Sequence, residues 1–243
     1  MRTDVLVFLG ILAVALLSMP VYGAIGARGR DPLDLPERGS FVLGAFVRRW
    51  FYWFIRPVER LSLASGLSPT AFNLLGAAFG VGAGVAFATG HLNLGGWAVL
   101  LGGVADVLDG RVARALGLEG ARGAFLDSTL DRFAEVGAFV GLAVHYRGSA
   151  LGAVVVAAGL GGSLLVSYAR ARGESVGVVC KLGVMQRAER LLTIGLGGIL
   201  DPAVTAWAGW APGTLLLGLL ALVAAGTVGT AAYRTAWIAR RLE

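Results

Sequence analysis

Seven apolar runs, at residues 5–25, 71–89, 94–105, 125–145, 150–168, 191–207 and 214–236, take up most of this chain. A bilayer core roughly 30 Å thick needs about 20 apolar residues per helix, so the chain has room for about six or seven spans joined by short connections. The run at 94–105 is short, but it continues through Val107, Leu108, Val112, Ala113 and Leu116 as one helix with polar residues set into it. Gly90-His91-Leu92-Asn93, Gly148-Ser149 and Ala211-Pro212-Gly213 punctuate the runs as short turns, whereas 26–69 and 171–187 read as longer connections. With 56% hydrophobic and 15% charged residues, the composition excludes a soluble globule and fits an all-α polytopic membrane protein.

The net charge of +6 would also suit a nucleic-acid binder, but the arginines lie at the ends of apolar runs and form no continuous patch, so no nucleic-acid partner is expected. If the N-terminus is outside, Arg28, Arg30, Arg38, Arg48, Arg49, Arg56, Arg60, Arg111, Arg114, Arg122, Arg132, Arg170, Arg172, Lys181, Arg187, Arg190, Arg234, Arg240 and Arg241 fall at cytoplasmic ends, and only Arg2 and Arg147 fall outside. This asymmetry predicts an integral protein of a bacterial-type cytoplasmic membrane, with residues 106–131 and 171–187 facing the cytoplasm. Residues 1–27 also resemble a cleaved signal peptide, with small residues near Tyr22-Gly23-Ala24, but Arg28 and Arg30 oppose translocation, so a retained transmembrane helix is expected. In 39–63, Phe41, Val42, Phe46, Trp50, Phe51, Trp53, Phe54 and Ile55 stand beside Arg48, Arg49, Arg56 and Arg60, the pattern of an amphipathic helix lying at the cytoplasmic interface against anionic membrane lipids. The lone Cys180 excludes an internal disulfide and a Cys-pair zinc site, and its neighbours place it in a polar loop.

Within this apolar chain, VADVLDGRVARALGLEGARGAFLDSTLDRFAE carries Asp106, Asp109, Asp127 and Asp131. A charge in a span costs about 3 kcal/mol on insertion scales, so four need a compensating partner. Asp106 and Asp109 are spaced i, i+3 and Asp127 and Asp131 i, i+4, which puts each pair on one helical face. Two such helices facing each other would gather four hard oxygen donors suited to Mg²⁺ or Mn²⁺. Gly110 and Gly123 remove side-chain bulk beside the carboxylates, and Arg114 supplies a forked phosphate donor. Ion pairing with Arg111, Arg114, Arg122 and Arg132 would explain any single aspartate, but not four at these spacings.

The full pattern, Asp106-x2-Asp109-Gly110-x2-Ala113-Arg114-x8-Gly123-x3-Asp127-x3-Asp131, resembles the signature of the CDP-alcohol phosphatidyltransferase family with every position filled. The six-helix body from Ala71 onward is also similar to that family. The resemblance implies a six-helix domain over 67–243, preceded over 1–66 by one extra transmembrane helix and the interfacial segment. It implies transfer of a phosphatidyl group from CDP-diacylglycerol to a polar alcohol with release of CMP, a step of phospholipid biosynthesis. Two Mg²⁺ or Mn²⁺ ions would be held by Asp106, Asp109, Asp127 and Asp131, with Asp131 also the base for the acceptor hydroxyl. Gly110, Arg114 and Gly120 match positions that contact the CDP moiety. Thr70 and Asn73, in the Pro-led entry Leu67-Ser68-Pro69-Thr70-Ala71-Phe72-Asn73, match further donor contacts, although Asn or Asp, and Thr, are commoner there.

Around 167–190 the cations are similar to those of members that accept a phosphorylated alcohol. Arg172 and Arg190 are the leading candidates for the acceptor phosphate, followed by Arg187 and Arg170. Inositol phosphate is the first acceptor expected; glycerol phosphate, inositol or another alcohol is the alternative. Dimers are common in the family, so a homodimer is an option. The competing reading from another class is a divalent-cation transporter, which would need carboxylates along a route to the far side. Only Asp4 and Asp201 lie there.

Overall fold

The computed structural model describes residues 3–27 and 44–242, which are all-helical apart from turns and short connections. Two compact units are distinguished, Met1–Gly66 and Leu67–Glu243. In the first, α1 (Thr3–Ala27) exposes Leu6, Ile11, Leu17 and Val21, and its apolar stretch is Gly10–Ile25. It meets α2 (Gly44–Phe54) where Trp50 Nε1 donates to Ser18 Oγ at 2.8 Å and the Tyr22 ring lies 5.7 Å from those of Phe46 and Trp53. The single amphipathic helix expected over 39–63 is broken at Ile55, because Pro57 in the first turn of α3 (Arg56–Ala64) has no N–H with which to continue α2. Phe41 and Val42, with Arg28, Arg30 and Arg38, lie outside the described residues.

The second unit holds the six expected core helices: α4 (Pro69–Ala88), α5 (Leu92–Ala115), α6 (Ala121–His145), α7 (Ala150–Ser175), α8 (Arg187–Ala208) and α9 (Thr214–Ala239). All but α6 are long and apolar enough to cross a bilayer; α6 has the length but carries the charges of the motif. The Ser68 and Ser149 side chains cap α4 and α7 by accepting from Ala71 N and Gly152 N. α4 packs on both α5 and α6, α5 on α8, and α9 on α7 and α8. Lipid gives helices little hydrophobic reason to associate, so close backbone contact between small residues does that work. A side chain on Gly141 of α6 would run into the backbone of Gly84 on α4, and one on Gly198 of α8 into Gly96 of α5.

Two expectations change. The apolar run ending at Tyr168 is not the end of its helix: α7 continues to Ser175, with Arg170 Nε 2.9 Å from Glu174 Oε1 one turn on, so the connection is 176–186 and Arg170 and Arg172 are helical. Cys180 does sit in that connection, but it is fully buried there.

Asp201, grouped above with the far-side acids, is fully buried. Its Oδ1 accepts from Gly213 N at 2.7 Å and its Oδ2 from Leu216 N at 3.0 Å. Gly213 precedes α9 at φ 90°, where glycine fits and no side chain is available to cap, so a carboxylate from α8 takes the orphan N–H groups. Tyr146 Oη donates to the Gly213 carbonyl at 2.7 Å and completes the tie to the end of α6. An acid committed in this way is no open step for a passing cation, which removes the feature a transporter would need. Asp201→Ala should cost roughly 3 kcal/mol through two stranded buried N–H groups. Thermal unfolding in detergent should show a lower Tm for Asp201→Ala than for Asp201→Asn, which keeps one acceptor.

Candidate active site

The four aspartates come from two helices that both rest on α4. Asp106, Asp109 and Asp127 each present an oxygen such that the three lie within 4.8 Å of one another. Asp109 is buried, and among the described residues Asp109 Oδ2 and Asp127 Oδ1 have no hydrogen-bond donor. Buried carboxylate oxygens without donors are costly, and a divalent cation is the partner that this all-oxygen set fits. Asp131, one turn further along α6, stands outside the group of three. Arg187, the first residue of α8, links it to them: Nη1 lies 2.5 Å from Asp106 Oδ1 and Nη2 donates to Asp131 Oδ1 at 2.5 Å. Arg132 Nη1 lies 3.5 Å from Asp131 Oδ2, and its Nη2 donates to Ser167 Oγ at 2.9 Å. Among the described residues Arg132 and Arg187 bring two guanidiniums to these carboxylates, and a metal would balance the remaining negative charge.

The residues matched to the donor lie on α4, α5 and the start of α6. Gly110 follows Asp109 on α5, and a side chain there would come within 3.4 Å of the exposed Arg114 guanidinium, so the glycine leaves that group its room. Gly120 is the extended residue before α6, and both it and Gly123 border open space. Asn73 is buried on α4, while Thr70 is exposed in the first turn of that helix.

The four acceptor candidates separate. Arg170 pairs with Glu174, and Arg172 Nη1 donates to Ser175 Oγ at 3.3 Å, both on the exposed end of α7. Neither lines the cavity that opens beside Asp131, whereas Arg187 and Arg190 both do. The extra turns of α7 engage Arg170 and Arg172 with neighbours on their own helix. Arg190 is buried, with Nε donating to Glu135 Oε1 at 2.9 Å and Nη1 to the Met185 carbonyl at 3.4 Å. Gly76 and Gly80 of α4 and Gly102 and Gly103 of α5 also line the cavity, together with Val99.

Two residues were not singled out from sequence. Glu135 repeats the i+4 spacing of Asp127 and Asp131, a signal that the motif's end at Asp131 obscures. Arg234, read only as a topology marker, donates from Nε to the Leu182 carbonyl at 2.7 Å and from Nη1 to the Val166 carbonyl at 3.0 Å, fastening the connection that leads into α8.

The sequence profile of the CDP-alcohol phosphatidyltransferase family matches residues 67–224. A phosphatidylinositol phosphate synthase of Streptomyces avermitilis is 38% identical over 174 residues, 69% of this chain and 70% of that protein. An archaetidylinositol phosphate synthase of Methanothermobacter thermautotrophicus is 35% identical over 178 residues, 71% of this chain and 85% of that one. Among solved structures, the Mycobacterium tuberculosis phosphatidylinositol phosphate synthase with CDP-DAG bound superposes with a TM-score of 0.64 at 30% identity, covering 75% of this chain and 92% of that one. The same enzyme in complex with manganese and citrate gives 0.65 at 28% identity, covering 75% and 87%.

If the buried aspartates hold the cation, Asp109→Asn and Asp127→Asn should each weaken Mn²⁺ binding at least about tenfold through the loss of one charged ligand. Titration of the purified protein followed by Mn²⁺ electron paramagnetic resonance measures this directly.

Proposed function

Because the chain belongs to the CDP-alcohol phosphatidyltransferase family, we propose that it moves the phosphatidyl group of CDP-diacylglycerol onto inositol phosphate, at a site facing the cytoplasm in the cytoplasmic membrane. The observation that carries this reading is the joint placement of Asp131, Arg187 and Arg190 on one cavity, a proton acceptor beside two cations. The names of the relatives favour a phosphorylated inositol as acceptor, and the mycobacterial enzyme with CDP-DAG bound favours the donor.

Asp131 takes the proton of the acceptor hydroxyl as its oxygen bonds to the phosphorus that carries diacylglycerol; the P–O bond to CMP breaks, and CMP leaves with the electron pair. Asp106, Asp109 and Asp127, with Asp131 beside them, would hold two Mg²⁺ or Mn²⁺ ions, whose charge neutralises the pyrophosphate and the departing CMP. Arg187 and Arg190 take the acceptor phosphate, which brings the hydroxyl toward Asp131. Gly110, Arg114, Gly120, Thr70 and Asn73 border the donor, with Arg114 toward phosphate. Arg170 and Arg172 lie off the cavity and serve the charged membrane face.

The test is CMP release from CDP-diacylglycerol by purified protein with Mn²⁺, offered inositol phosphate, inositol, glycerol phosphate or serine. Turnover should be highest with inositol phosphate, and absence of CMP release with all four would refute the reading. Asp131→Asn should lower turnover by about 10²–10⁴-fold, the usual contribution of a positioned base. Undiminished turnover in that variant would remove Asp131 as the base.

A further inference from the structure

Glu135 has no part in the chemistry above, yet it lines the same cavity as Asp131. It lies one turn beyond Asp131 and two beyond Asp127, so the three carboxylates share one face of α6. On α8, Arg187 and Arg190 are likewise one turn apart. The two helices therefore meet through two rungs, Asp131 with Arg187 and Glu135 with Arg190. The rungs differ in kind. The first is partly open and shared with Asp106; the second is closed, its side chains exposed by only 2% for Arg190 and 7% for Glu135.

A buried ion pair is a poor device for stability, because desolvation of both charges offsets their attraction and apolar side chains fill such space equally well. Among the described residues Glu135 Oε2 has no hydrogen-bond partner, which adds to the cost. What the pair provides is position. Glu135 Oε1 fixes Arg190 at Nε and the Met185 carbonyl holds Nη1, so a side chain with four torsions is set in place beside Asp131 before any ligand arrives. Ordering it in advance removes an entropic cost from binding.

We infer that Glu135 is a positioning residue for the acceptor, holding Arg190 in the cavity so that it receives the acceptor's phosphate. This rests on the proposed role of Arg190 in acceptor binding. Glu135→Gln keeps the side chain's length and an oxygen for Nε but removes the charge, and Glu135→Asp keeps the charge on a shorter arm.

The experiment compares both variants with the wild type for KM toward inositol phosphate and toward CDP-diacylglycerol, and for the rise in Tm on adding inorganic phosphate. Glu135→Gln should raise the acceptor KM about tenfold, the worth of one well-placed charge-assisted hydrogen bond, and leave the donor KM within about twofold. Glu135→Asp should recover part of the loss, and the phosphate-induced rise in Tm should shrink in Glu135→Gln. A purely structural role would lower the amount of active protein and leave both KM values where they were. An unchanged acceptor KM, an unchanged response to phosphate, or a wild type whose Tm ignores phosphate overturns the inference. A wild type that turns over no phosphorylated alcohol, while Glu135→Gln still loses its response to phosphate, refutes the proposed acceptor and supports the positioning role.

Discussion

Arg187 forks between a carboxylate on α5 and a carboxylate on α6, and the chemistry of the second unit is organised around that contact. Asp106 and Asp131 repel each other and are expensive to keep among apolar helices. A guanidinium between them makes both tolerable and ties the start of α8 to the two motif helices. It also brings a cation to the side of the residue that would take the acceptor's proton. Among the described residues Asp109 and Asp127 form no ion pair of this kind, and their unpartnered oxygens mark where a metal charge belongs.

This arrangement depends on backbones that approach closely. Gly84 with Gly141, and Gly96 with Gly198, let α4 meet α6 and α5 meet α8 at separations that a side chain would forbid. The resulting frame brings Asp106, Asp109 and Asp127 within reach of one ion. Gly76 and Gly80 of α4 and Gly102 and Gly103 of α5 line the cavity beside Asp131. Small residues thus do two jobs in one unit: they join helices where lipid gives no drive to association, and they line the cavity beside Asp131.

Much of the second unit could be read from the chain. Apolar runs separated by Gly, Pro and Ser gave all six core helices, and the i, i+3 and i, i+4 spacings found the aspartates because a helix repeats locally. The contacts that refine the site join residues far apart in the chain: Arg187 with Asp131 across 56 positions, Arg190 with Glu135 across 55. No local period encodes those pairings, so the sequence ranked Arg172 with Arg190, whereas the side-chain contacts between α6 and α8 put Arg187 beside Arg190 on the cavity. Asp201 was opaque for a related reason, since its partners are backbone N–H groups that no side-chain pattern reveals. The end of α7 was misjudged because hydropathy stops at Tyr168, whereas the helix goes on through polar residues.

Asp106, Asp109 and Asp127 of α5 and α6 are the residues that fit a metal centre in this membrane transferase. Anomalous scattering from crystals soaked in Mn²⁺ tests it most directly. Manganese density is expected at Asp106, Asp109 and Asp127, and none at Glu135 or Asp201. Density at Glu135 or Asp201, or no bound manganese in crystals of active protein, would contradict it.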